Sequence, residues 1–338
     1  SLCVLARNGT RCGRSTHDKM YVECVDCMNL TRAQLAVQAH FTTIQFAAQV
    51  IYLVLILGLS YAFGWSDGGY DDVKVAQLSQ GVNVLWVAIV WTIGWKILPH
   101  VPPARTLAEN ERLWSAGVQE VGRTVAILYK DYRRSSFTYF AAVIFAESFS
   151  NAFTTVSVIF LDKELGLTSS QIGFFFLIAV VATIPGSQLG GWVTSKINPK
   201  RSWMLALFLL SAAAVVGAFC LNRDSVAFAF VWAVCVGIFL GWHYPTEDLI
   251  FSICLPKSHD SEMAGFFVYC SQVLVWLPPL IFSVLDQGGF DQSFGVLAVA
   301  SFGLIAVAII STMPPWPDVV KDLAKMEAVS PETQHSAE

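Results

Sequence analysis

The side chains in this sequence with chemistry to offer lie inside long apolar stretches. Glu147 sits near the middle of TYFAAVIFAESFSNAFTTVSVIFL, residues 138 to 161, with Asn151 one helical turn on and Thr155 another turn beyond. An unpaired charge is strongly disfavoured in hydrocarbon, so a carboxyl at that depth either borders a wet cavity or carries a proton. Proton coupling needs such a group, one that takes up and releases a proton beside a hydrated route. The Ser and Thr residues around it equally suit hydrogen bonding between helices. A second constellation interrupts GWHYPTEDL, residues 241 to 249. Pro245 frees the carbonyl one turn earlier and predicts a kink whose backbone acceptors a cavity can use. His243 and Tyr244, ahead of it, are candidates for a substrate pathway, with a packed core His as the alternative. Glu247 and Asp248, after it, fit a gate or salt-bridge pair nearer the surface. Trp276, Pro278 and Pro279 in VLVWLPPLIF predict a further break, a bend or moving joint. Gln45 and Gln49, four apart, share a helix face that looks inward. Gln188 and Gln272 are weaker cavity candidates, better explained by hydrogen bonds between helices.

The elements that must position these residues follow from composition. A chain of 338 residues, 55% hydrophobic and 14% charged, with mean hydropathy +0.56, is too apolar for one soluble domain. A hydrocarbon core of roughly 30 Å takes about 20 helical residues to cross. Apolar runs of that order lie near 43–63, 80–98, 139–160, 171–192, 203–221, 226–247, 264–285 and 293–313. They are too long for barrel strands, and backbone groups in lipid must be satisfied within the segment, so the expected fold class is an all-α membrane protein. If the N-terminal segment is cytosolic, 18 of the 21 Lys and Arg residues lie on the cytosolic side, and only Lys74, Lys163 and Arg223 lie opposite. That bias predicts a multi-pass protein with both termini cytosolic, and the net charge of −4 carries no sign of a nucleic-acid partner.

The boundaries expected from this pattern are a cytosolic Cys-containing segment (1–42), two spans (43–98), a cytosolic amphipathic connection (99–138), six spans (139–313) and a disordered tail (314–338). Cys3, Cys12, Cys24 and Cys27, with His17 nearby, contain one C-x-x-C pair. This is weak as a zinc signal, so no metal is expected, and the segment is read as flexible and reduced. In the connection, Thr106 and Glu109 fit a capping box, and Leu107, Trp114, Val118, Val121, Val125, Leu128 and Tyr132 form one apolar stripe. With Lys130, Arg133 and Arg134 at its end, the helix is expected to lie along cytosolic headgroups, the alternative being a solvated linker helix. Two spans, a long connection and six spans make the last two helices of one bundle and a complete second bundle. Four further helices are therefore expected ahead of Ser1. Transporters built this way hold substrate near the membrane midplane between the halves.

The connection after the fourth span supports that register. Gly190-Gly191-Trp-Val-Thr-Ser195-Lys196-Ile-Asn198-Pro199-Lys200-Arg201 resembles the Gly-x-x-x-Asp-Arg-x-Gly-Arg-Arg loop of the major facilitator superfamily. Gly191 and Lys196 match, Lys200 and Arg201 supply its basic end, Ser195 replaces Asp, and Asn198 replaces Gly. Asn tolerates the left-handed backbone such a turn needs. The missing Asp removes the family's charge relay to a neighbouring helix. Around residues 80 to 313 the chain resembles the vacuole effluxer family of autophagy-related transporters, matching at Pro256-Lys257, Glu262 and Gly265-Phe266-Phe267. It departs at Asn151, where that family has Asp, and at Glu247-Asp248-Leu249, where it has Ser-Arg-Ser. The resemblance implies a carrier in the vacuole membrane that exports neutral, leucine-like amino acids after autophagic breakdown; Glu147 and an acidic lumen fit proton-linked export, and a monomer is expected. A carrier of sugars, drugs or organic ions, and a non-transporting scaffold in autophagy, are the rivals. The sequence contains no nucleophile-base arrangement, phosphate loop or spaced metal cluster, so neither an enzyme nor a cofactor is expected.

Overall fold

The computed structural model describes residues 16–62, 70–97, 113–131, 133–222, 225–254 and 260–320. Among them there are helices and no strands. In chain order these are α1 (Thr16–Ala62), α2 (Tyr70–Ile97), α3 (Leu113–Asp131), α4 (Thr138–Lys163), α5 (Ser169–Ile197), α6 (Pro199–Cys220), α7 (Val226–Cys254), α8 (Asp260–Gln272), α9 (Leu277–Gln287) and α10 (Gln292–Thr312). A π-helical turn, Arg133–Phe137, joins α3 to α4 through residue 132. Among the described residues eight stretches, from Leu35–Leu59 to Gln292–Thr312, are long and apolar enough to cross a bilayer, α8 and α9 together making one of them. The chain is an all-α, multi-pass membrane protein.

Small residues set the tightest packing. Gly186 and Gly190 on α5 lie against Ile238 and Trp242 of α7, Gly237 and Gly241 on α7 lie against Ala179 and Thr183 of α5, and the two backbones nearly touch. A Cβ at Gly237 would stand 2.1 Å from the Ala179 carbonyl oxygen, and one at Gly241 would stand 2.1 Å from that of Thr183. Without a hydrophobic force between helices in lipid, such close approach is what van der Waals packing has to work with. On the other side of α7, helices α4, α6 and α10 enclose a core of Phe149, Trp203, Leu207, Leu210 and Val299. Lys200 near the start of α6 donates from Nζ to the Ser311, Met313 and Pro314 carbonyls, satisfying the end of α10. At the opposite end Lys163 meets Asp286 at 2.8 Å, and Gln292 donates to the same carboxylate.

Helix α1 lies along α5 and also touches α7. Thr43 and Ser187 hydroxyls meet at 2.9 Å, and Gln188 Nε2 donates to Thr43. Eighteen residues further along α1, Tyr61 packs edge-on to Phe174. Helix α2 is far more exposed, and Trp91 and Trp95 stack on its surface.

Several boundaries differ from the pattern in the sequence. Helix α1 begins at Thr16, well before residue 43, because polar residues continue the helix ahead of the apolar stretch that starts at Leu35. Of the stripe on α3, Leu128 is buried while Val118, Val121 and Val125 stay exposed. Cys3, Cys12, the Thr106–Glu109 capping box, Pro256-Lys257 and the tail from residue 321 lie outside the described residues, as do the side chains of His17, Cys24 and Cys27.

Candidate functional site

A cavity of about 370 Å³ opens between α1 and the helices α4, α5 and α7, with Gln272 of α8 at its edge. Residues on successive turns reach it from each helix: Gln45, Phe46 and Gln49 from α1, Glu147, Asn151 and Thr154 from α4, Phe175, Phe176 and Thr183 from α5, Trp232 and Tyr244 from α7. Phe46 and Tyr244 meet across it with ring centroids 5.9 Å apart.

Glu147 is the only carboxylate among the described residues that line the cavity, and its side chain is 12% exposed. Oε2 accepts from Asn151 Nδ2 at 3.0 Å. Oε1 stands 3.7 Å from Nε2 of His243, which does not line the cavity. Behind it lies a sealed pocket in which Nε2 also stands 3.0 Å from Glu247 Oε2, the two residues sharing one face of α7. His243 and Glu247 are 0% and 1% exposed. The 3.0 Å approach is not aligned for a hydrogen bond, leaving His243 Nε2 and both Glu247 oxygens without a protein partner. At these distances a charge on any one of the three groups is felt directly by the other two.

The imidazole is oriented from α6. Trp203 Nε1–H donates to His243 Nδ1 at 2.9 Å. An indole N–H is a donor only, so Nδ1 must present its lone pair, and a neutral ring then carries its hydrogen on Nε2. Glu147, His243 and Glu247 place one donor atom each within 4.8 Å, close enough for a cation. A metal would need the Nε2 lone pair, which this tautomer does not offer. The arrangement suits proton exchange among the three groups.

The structure brings together some predicted residues and separates others. Glu147, Asn151 and Tyr244 line the cavity, as do Gln45 and Gln49. His243 does not, being sealed behind Glu147. Thr155 is exposed and bonds back to the Asn151 carbonyl, while Thr154, one residue earlier, faces the cavity. Glu247 is not near a surface but fully buried, since α7 runs on unbroken through buried Pro245 to Cys254 and carries that turn into the core. Asp248, next to it, is partly exposed. The chain does break before Pro278 and Pro279, which occupy the first turn of α9, with Trp276 exposed just ahead. Gly191 is partly buried against Ala39, Lys196 and Arg201 are exposed, and Lys200 caps α10.

Ser195 is exposed and bonds only its own helix, accepted by the Trp192 carbonyl. The tie between helices comes instead from Thr194, whose hydroxyl meets Ser202 at 2.6 Å and Thr246 at 3.3 Å, while Trp242 donates to Ser202. A neutral hydroxyl network stands where the loop motif would place a charge. Asn198 has φ 91° and caps α6 by accepting from the Arg201 backbone N–H. Trp203 and the Gly186/Gly190 and Gly237/Gly241 pairs escape a reading that looks for ionisable groups, although the glycine spacing of four is visible in the sequence.

The sequence profile of the Major Facilitator Superfamily matches residues 33–277 and, a second time, 138–333. A stretch of 152 residues, 44% of this chain, is 26% identical to SauU of Cupriavidus necator, described as a probable sulfoacetate transporter, and covers 34% of that protein. The chain therefore matches about a third of the length of this curated relative. In fold it is similar to the E. coli fucose:proton symporter FucP, with TM-score 0.52 and 16% identity over 84% of this chain and 73% of that one. A second structure of FucP, in the outward conformation, gives TM-score 0.52 and 16% identity over 84% of this chain and 72% of that one.

Proposed function

Since the chain belongs to the Major Facilitator Superfamily, we propose that it carries a small polar solute through the cavity between α1 and the α4–α10 bundle, with Glu147 linking the solute to proton movement. One observation carries this reading: Glu147 lines the cavity beside Asn151, which donates to its Oε2, while its Oε1 stands 3.7 Å from the buried His243, so one side chain belongs to both the solute route and the buried His243–Glu247 pair. Rocking of two helical halves around a site near the midplane would then expose Glu147 to each side in turn. The asymmetry of Lys and Arg supports a cytosolic position for the α5–α6 turn and for both chain ends.

On the resemblance to vacuole effluxers, the solute is a neutral, leucine-like amino acid leaving the vacuole for the cytosol. The named relatives supply the rivals, a neutral sugar and an organic anion. The described cavity lining has no Lys or Arg to receive an anion, which speaks against the last. The test is flux into proteoliposomes of the full-length protein under an imposed pH gradient, with leucine, fucose and sulfoacetate as solutes. Gradient-driven flux of one of them should fall at least about tenfold in Glu147→Gln, the loss expected when an essential proton-exchanging group is removed. Unchanged flux with an unchanged pH profile would sink the role given to Glu147.

A further inference from the structure

The polar wall of the cavity is rich in acceptors whose donors are already engaged. Asn151 directs Nδ2 at both the Glu147 backbone and side-chain oxygens, leaving its amide oxygen as the free end. The Thr154 hydroxyl donates to the Ser150 carbonyl and that of Thr183 to the Val180 carbonyl, so each has only lone pairs left for the cavity. With the Glu147 carboxylate, these make four acceptor groups on α4 and α5. No Lys, Arg or His is among the described lining residues, and the apolar walls combine the rings of Phe46, Phe175, Phe176, Trp232 and Tyr244 with aliphatic side chains such as Val236 and Leu240. The groups around Glu147 are His243, Glu247, Asp248 and Tyr244 from α7 and Asn151 from its own helix, while α1 contributes the amides of Gln45 and Gln49 and the ring of Phe46 among the described residues.

We infer that the cavity recognises its solute through an organic ammonium group seated on Glu147 between aromatic faces. An ammonium is a donor only, with three N–H bonds for a wall of acceptors, and aromatic faces attract it electrostatically in a dry site. A sulfonate or carboxylate alone meets a carboxylate and lone pairs, and is repelled. A zwitterionic amino acid fits as well as an amine, because the amides of Gln45, Gln49 and Gln272 are available for its carboxylate. This inference rests on the reading of the cavity as the solute site, and goes beyond it by fixing the class of solute.

Calorimetric titration of the full-length protein in detergent with 3-methylbutylamine, leucine, fucose and sulfoacetate tests it. The amine and leucine should bind, and fucose and sulfoacetate should not. Glu147→Gln should weaken the amine at least about tenfold, as loss of a charge-assisted contact predicts. Phe46→Leu, which keeps the carboxylate, should weaken it by about three- to tenfold through loss of one aromatic face. A thermal melt of each variant confirms that it is folded. If the amine fails to bind, or binds Glu147→Gln as well as wild type, the ammonium site is overturned, and binding of fucose or sulfoacetate alone does the same. The carrier reading is judged separately by flux. Proton-driven movement of fucose would leave it standing while the ammonium site falls, whereas leucine that binds but is not moved, with no flux of fucose or sulfoacetate either, would leave the site standing and remove the carrier.

Discussion

The orientation of one imidazole decides how the buried cluster works. Trp203 holds Nδ1 of His243 as an acceptor, so the ring turns its Nε2 edge, 3.7 and 3.0 Å away, toward its two glutamates. Doubly protonating that ring would require the Trp203 bond to break, since an indole N–H cannot face a second N–H. A proton that arrives at the cluster without disturbing α6 must therefore settle on a carboxyl, which makes Glu147 the member able to return it to the cavity. Trp203→Phe removes the donor while keeping an aromatic ring over the histidine. Side-chain ¹⁵N spectra should show His243 as the Nε2–H tautomer in the wild type and a mixture of both tautomers in the variant. An unchanged spectrum would mean that something other than Trp203 sets the ring. Glu147, His243 and Glu247 were each legible in the sequence because polar residues in apolar runs draw the eye. What brings them together was not, since it depends on Trp203, 40 positions from His243, and on which face of α7 each turn presents.

At the scale of elements, the cavity exists because α5 and α7 pack backbone to backbone and so turn Thr183 and Tyr244 toward α1. Gly237→Ala places a methyl group against the Ala179 carbonyl, where no flexible side chain can move aside, and should destabilise by about 2 kcal/mol or more. Gly81→Ala on α2 meets nothing within 4 Å and should be neutral or slightly stabilising, as alanine is the better helix former. Thermal unfolding in detergent distinguishes the two, and equal melting temperatures would show that α5 and α7 are held by something else. Asp291 offers a second test at the exposed start of α10. The Ser293 backbone N–H, and to a lesser degree its hydroxyl, hold the Asp291 carboxyl below its ordinary value. A lowered folded value means the cap contributes above the usual carboxylate range and loses that contribution as pH falls through the lowered value. Asp291→Ala should therefore cost about 1 kcal/mol at neutral pH, and the difference from wild type should shrink on acidification, as melts at a series of pH values would read. The spans themselves were plain from hydropathy. Their ends were not, because α1 extends through polar residues to Thr16 and α7 continues past Pro245, where burial among neighbouring helices outweighs a missing backbone donor.

For the whole molecule the question is whether α1 moves against the α4–α10 bundle. The cavity lies between them, and contacts close it at both ends: Thr43 with Ser187 and Gln188 toward one, Tyr61 with Phe174 and Leu57 with Gly173 toward the other. Access from alternate sides requires one set to part while the other holds, because a packed interface switches between discrete arrangements rather than stretching. The Thr43 set is the weaker candidate to stay fixed. It consists of hydroxyls and one amide that can exchange partners with water as they separate, whereas parting Tyr61 and Leu57 from α5 exposes apolar surface. The two hydroxyls are 2.9 Å apart, near enough for a disulfide once both residues are cysteine and the side chains adjust. Oxidised Thr43→Cys/Ser187→Cys should bind its solute but transport it no faster than protein-free vesicles, and reduction should restore flux, with each single variant unaffected by oxidant. A cross-linked protein that transports at the reduced rate would place the moving boundary elsewhere, between helices that this pair does not join.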